Sequence, residues 1–98
     1  MRNAITSYYA LAQRDPQSAY DLTGPTLRSV ESREDFIAFW NRFDSVSLGP
    51  VSVPEGSLVA SASVTFVEGG TQLPVEQHTI TLIPGSDGRL LVDSDRAG

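Results

Sequence analysis

Ninety-eight residues suffice for one hydrophobic core, and chains divide into separate cores only at greater length, so residues 1–98 are expected to form a single domain. Twelve acidic against seven basic side chains give a net charge of −5, with no lysine at all, which excludes the phosphate-neutralising surface that nucleic acid or an anionic membrane requires. The absence of cysteine removes disulfides, thiolate nucleophiles and cysteine-ligated zinc, and it leaves the compartment open.

Taken in chain order, the first signal is helical. Between about Asn3 and Gln13, Ile5, Tyr8, Tyr9 and Ala12 recur at helical spacing and leave Thr6, Ser7 and Gln13 on the other side. Asp15-Pro16 supplies a carboxylate cap and a first-turn proline for a short second helix carrying Ala19, Tyr20 and Leu22, which Gly24-Pro25 is expected to end. Ser32-Arg33-Glu34-Asp35 then puts a hydroxyl cap ahead of two carboxylates, where the helix dipole favours negative charge, and a third helix is expected from there. Phe36, Ile37, Phe39, Trp40 and Phe43 give that helix the most apolar surface in the chain.

After Asp44 the period changes from helical to alternating. Val46, Leu48, Val51 and Val53 lie in extended pieces interrupted by Gly49-Pro50, as in an edge strand or at a bulge. Leu58, Ala60, Ala62, Val64 and Phe66 alternate with Ser61, Ser63 and Thr65, so one face of this strand is apolar and the other rich in hydroxyls. The turn at Glu68-Gly69-Gly70-Thr71, a strand from Val75 to Ile83, the loop from Pro84 to Gly88 and a last strand from Arg89 to about Asp95 complete a three-stranded meander.

Register follows from keeping like with like. A plain two-residue loop at Gly69-Gly70 would set apolar residues against the hydroxyl row, so a one-residue bulge near Leu73-Pro74 is expected, bringing His78 beside Ala62 and Ile80 beside Ala60. Across the last loop, Ile83 is expected opposite Arg89, Leu82 opposite Leu90, Ile80 opposite Val92 and His78 opposite Ser94. The helix-covered row is then Ala60, Ala62, Val64, Ile80, Leu82, Leu90 and Val92, with Asp93 and Asp95 on the opposite face. The expected fold class is α+β, with N-terminal helices packed on a curved antiparallel sheet.

Candidate chemistry centres on His78, which falls on the helix-covered face and offers an acid, a base or a ligand hook, or else a rim residue hydrogen-bonded to Ser94 or water. Tyr8, Tyr9, Tyr20 and Trp40 are candidates to line an aromatic pocket, Tyr9 and Trp40 foremost, or to serve as plain core. No catalytic residue is assigned, because a single histidine with no nucleophile elbow leaves no triad. Asp93-Ser94-Asp95 offers too few oxygens for calcium, so no metal is expected. The glycine loops neither open a helix nor precede a lysine, so no phosphate cradle and no cofactor is expected. No stretch approaches the ~20 apolar residues of a membrane span, so membrane insertion of this segment is not expected.

Tyr8-Tyr9 with Leu11, the stretch from Asp15 to Leu22, Phe36 to Trp40, and Gly88-Arg89-Leu90-Leu91-Val92-Asp93 together resemble the nuclear transport factor 2-like superfamily, the cone-shaped, cystatin-like α+β fold. More narrowly, Ala19 to Thr23 and Phe36 to Trp40 resemble the small domains of this fold that follow a membrane anchor in actinobacterial serine/threonine protein kinases and related membrane proteins. The resemblance implies a non-enzymatic sensor or binding module outside the cytoplasmic membrane, with Met1 marking an excised domain. A small apolar ligand or a protein partner is the implied occupant. Catalytic relatives, such as ketosteroid isomerases and polyketide cyclases, place carboxylates and tyrosines inside the cone, whereas the row expected inside here has no acid. Two alternatives stand beside the module: a small isomerase, cyclase or hydratase using His78 with a tyrosine, and a structural homodimer joined through the Ser61, Ser63, Thr65, Thr79 and Thr81 face of the sheet.

Overall fold

The computed structural model describes residues 2–97, in which helices α1 (Arg2–Arg14), α2 (Pro16–Tyr20), α3 (Pro25–Val30) and α4 (Arg33–Asn41) precede strands β1 (Ser45–Ser52), β2 (Val59–Glu68), β3 (Thr71–Gln72), β4 (Glu76–Pro84) and β5 (Leu90–Ala97). The order is α+β, and the antiparallel sheet is open rather than closed into a barrel. Among the described residues, no helix is long and apolar enough to cross a membrane.

Helix starts follow the caps that the sequence carries. The Asp15 carboxylate accepts from Ser18 N at 3.3 Å and from Ser18 Oγ at 2.6 Å, while Ser32 Oγ accepts from Asp35 N at 3.1 Å. Where three helices were expected there are four. Gly24-Pro25 does end the preceding turn, but it also begins α3, with glycine at the cap and proline in the first turn. Gly24 has no side chain to offer as a cap. The missing acceptor comes from the far end of the chain, since Asp93 Oδ1 accepts from Thr26 N at 2.9 Å.

Strand order is β1-β2-β4-β5, with β3 pairing β2. Gly69 and Gly70 both take positive φ, 59° and 81°, as a two-residue hairpin of the favoured twist requires. Beyond it, Val67 pairs Gln72 but Val64 pairs Glu76, so Leu73, Pro74 and Val75 oppose only Thr65 and Phe66. That extra residue is the expected bulge, and it sets His78 beside Ala62 and Ile80 beside Ala60. β1 lies at the edge, its pairing shifting between Leu48 and Val51 around Gly49-Pro50.

The β4–β5 register differs from expectation. Leu82 pairs Val92 and Ile83 pairs Leu91, two residues along from the expected partners, and His78 pairs Ala97 rather than Ser94. Between Thr81↔Ser94 and Leu82↔Val92 the extra residue is Asp93, which bulges out of the ladder toward α3. The outer edge of β5 is covered by the segment before α3, as Val92 N donates to Leu22 O and Gly24 N donates to Val92 O, both at 2.8 Å.

Ile5, Tyr8, Tyr9 and Ala12 of α1 and Phe36 and Trp40 of α4 bury against Ala60, Val64, Phe66, Ile80, Leu82 and Val92 of the sheet. Leu90, expected in that row, is only partly buried. The opposite sheet face carries the hydroxyl row, including the pairs Ser47↔Thr65 and Ser61↔Thr79.

Candidate functional site

Tyr9, Trp40 and His78 all line one cavity of about 160 Å³ between the helices and the sheet, together with Tyr8, Leu27, Glu31, Phe39, Phe66 and Asp95. The breadth of the α1 stripe places both Tyr8 and Tyr9 on its inner side, each 2% exposed. Trp40 stands nearly perpendicular to each, at 85° and 6.2 Å from Tyr8 and at 90° and 5.6 Å from Tyr9. Such edge-to-face pairs are the arrangement aromatic rings prefer.

At the sheet end of the cavity a polar chain crosses three elements. Tyr9 Oη donates to Asp95 Oδ2 at 2.5 Å, Asp95 Oδ1 lies 2.6 Å from His78 Nδ1, and His78 Nε2 lies 2.8 Å from Glu76 Oε1. The His78 side chain is 9% exposed and that of Asp95 12%, whereas Glu76 reaches solvent at 45%. Every buried side-chain nitrogen and oxygen among the described residues has a partner, as a low-dielectric interior demands.

These contacts set the protonation states. The hydrogen bond to Asp95 raises the His78 pKa above its ordinary 6.5, burial opposes this, and Glu76 adds to the rise. A carboxylate on each ring nitrogen favours the protonated ring, in which both nitrogens donate. Burial, then the charge of Asp95, raises the Tyr9 hydroxyl well above an ordinary phenol, and the same two causes raise Tyr8. Both tyrosines therefore remain neutral donors. Burial, then repulsion from Asp35, raises the Glu31 carboxyl.

The expectation that Asp95 points away from the helices is overturned. One bulged residue reverses which way the strand's side chains face, so Asp95 pairs Ile80 and enters the cavity beside His78. The expectation of a cavity row free of acids falls with it, and Glu31, at the end of α3, adds a second carboxylate that sequence reasoning missed. The expected rim partner Ser94 is replaced by Asp95. Asp93 is also on the helix side, bonded to Thr26. The two aspartates thus serve different elements, and among the described residues no cluster of His, Cys, Asp or Glu is arranged to hold a metal ion.

Chemically, the site offers aromatic surface and carboxylates on its polar side, the Tyr9 hydroxyl proton being already given to Asp95. Both imidazole nitrogens are engaged by carboxylates. No protein-family model matches the chain, and no curated protein matches it.

Proposed function

We propose that this domain is a non-enzymatic sensor or binding module that receives a small ligand in the cavity between α1, α4 and the sheet. The observation that carries the reading is that the three residues singled out from the sequence, Tyr9, Trp40 and His78, line one cavity while the imidazole is occupied on both sides by carboxylates. A cavity of about 160 Å³ is close to the engineered apolar cavity of ~150 Å³ that holds benzene, so the occupant is a small molecule or one end of a larger one. Membership of the nuclear transport factor 2-like superfamily, and a place outside the cytoplasmic membrane beside a kinase or related protein, belong to the same proposal. Their support is the helices-then-sheet order together with the resembling stretches Ala19 to Thr23 and Phe36 to Trp40.

Titration of the isotopically labelled protein with cell-wall fragments and lipophilic metabolites tests the reading. Saturable shifts confined to Trp40, His78 and their neighbours are expected, and uniform silence of those resonances across the set would remove it.

A second reading has its own observation. The chain from Tyr9 through Asp95 to His78, with links of 2.5 and 2.6 Å, is the kind of arrangement that positions an acid in a small isomerase or cyclase. In that reading His78 donates a proton to a substrate carbonyl or enolate oxygen. A His78→Ala protein that retained full turnover of any substrate found would exclude it.

A further inference from the structure

Resting on the binding-module reading, we propose that the ligand class is a small organic cation, an alkylammonium whose charged end sits between Glu31 and Asp95 and whose alkyl part rests on the rings of Tyr8, Tyr9 and Trp40.

The first support is the balance of charge around the cavity. His78 is the one cationic side chain of its lining among the described residues, and it is matched by two carboxylates of its own, Asp95 and Glu76. Glu31 then remains as surplus negative charge. Among the described residues its carboxylate has no hydrogen-bond or ion-pair partner, and its backbone oxygen alone is engaged, by Tyr20 Oη at 3.0 Å. Two nearby arginines are committed elsewhere, while Arg96 lines the outer groove beyond the cavity. Arg28 donates to Thr23 and to the Tyr20 carbonyl, and Arg33 pairs with Asp21.

Access supplies the second support. A surface groove of about 460 Å³ adjoins the cavity, and Leu27, Glu31 and Asp95 line both. A ligand entering from that groove therefore passes both carboxylates before reaching the rings. Asp95 can accept further, since each oxygen has two lone pairs and each is bonded once in the chain to Tyr9 and His78.

The third support is the wall itself. Aromatic faces attract cations through the ring quadrupole, more strongly in a desolvated site than in water. An anion would meet Glu31 and Asp95 unfavourably, and a neutral apolar ligand would leave the half-buried Glu31 carboxylate desolvated without return. A net charge of −5 on the chain also concentrates cations around the protein at low salt.

The test uses the intact domain and a charge series of equal size: butylammonium, n-butanol and butyrate, with tetramethylammonium as a fourth probe. Fluorescence of Trp40, the sole tryptophan, and the NMR shifts of His78 report binding. Butylammonium and tetramethylammonium are expected to saturate the signal, with butanol and butyrate at least about tenfold weaker. Glu31→Gln is expected to weaken the two cations by about tenfold and to leave butanol unchanged. Butanol or butyrate binding as well as butylammonium, or cation binding indifferent to Glu31→Gln, overturns the cation proposal while the binding-module reading stands. Silence of all four probes overturns this proposal, and the larger ligand set above then decides the module reading on its own.

Discussion

Tyr9 and Asp95, separated by 86 positions in the chain, are joined by a 2.5 Å hydrogen bond from the first helix to the last strand. Asp95 also meets His78 of the neighbouring strand, so one carboxylate ties α1, β4 and β5 together at the wall of the cavity. Asp95→Asn keeps the shape but removes the charge that compensates the imidazolium. A loss of about 2–3 kcal/mol in urea-unfolding free energy is expected, the range for a largely buried hydrogen bond to a charged group. Tyr9→Phe should cost about 1 kcal/mol, and less than that once Asp95→Asn is already present, because the two changes remove the same bond.

The His78 contribution has a defined sign with pH. Its folded pKa lies above the ordinary 6.5, so its stabilisation is complete below that value and is lost as pH rises through the raised folded pKa. Unfolding free energy measured from pH 6 upward should therefore fall through this window. The chain has no other histidine, so His78→Asn should flatten that decline.

Asp93, Gly24 and Thr26 form a second long-range unit. A Cβ at Gly24 would collide with the Asp93 carboxylate, which accepts from Thr26 N. Gly24→Ala and Asp93→Ala should each cost about 1 kcal/mol through loss of the α3 cap. The double variant should cost little more than either alone, a result that a double-mutant cycle in urea reads directly.

Trp40, 6% exposed and edge-on to Tyr8, Tyr9 and Phe39, anchors α4. Trp40→Ala is expected to cost about 3–5 kcal/mol, seen as a large drop in melting temperature. An unchanged melting temperature would contradict the placement of α4 over the sheet.

Much of the fold was legible because local chemistry and burial agreed. The stripe of Ile5, Tyr8, Tyr9 and Ala12, the Asp15 and Ser32 caps, and the alternation through Ala60, Ala62 and Val64 each pointed to the element that formed. Even the bulge at Leu73 to Val75 was readable, since apolar and hydroxyl rows would otherwise have been mismatched. The last strand had no such guide. After Val92 the residues Asp93, Ser94 and Asp95 are all polar, so alternation carries no register information, and the bulge is tied to a distant donor, Thr26 N. Helix α3 was hidden because Gly-Pro signals both an ending and a beginning, and its cap lies at the other end of the chain. The buried partner of His78 was therefore missed, although a histidine on a covered face needs one.

The most direct test of the account is the protonation of His78, read by long-range nitrogen–proton NMR across a pH titration. The account predicts both ring nitrogens protonated at neutral pH, an apparent pKa above 6.5, and a downfield Nδ1 proton that disappears in Asp95→Asn. A neutral ring with one unprotonated nitrogen at pH 7, unaffected by Asp95→Asn, would contradict the clasped imidazolium and restore a free base to the cavity.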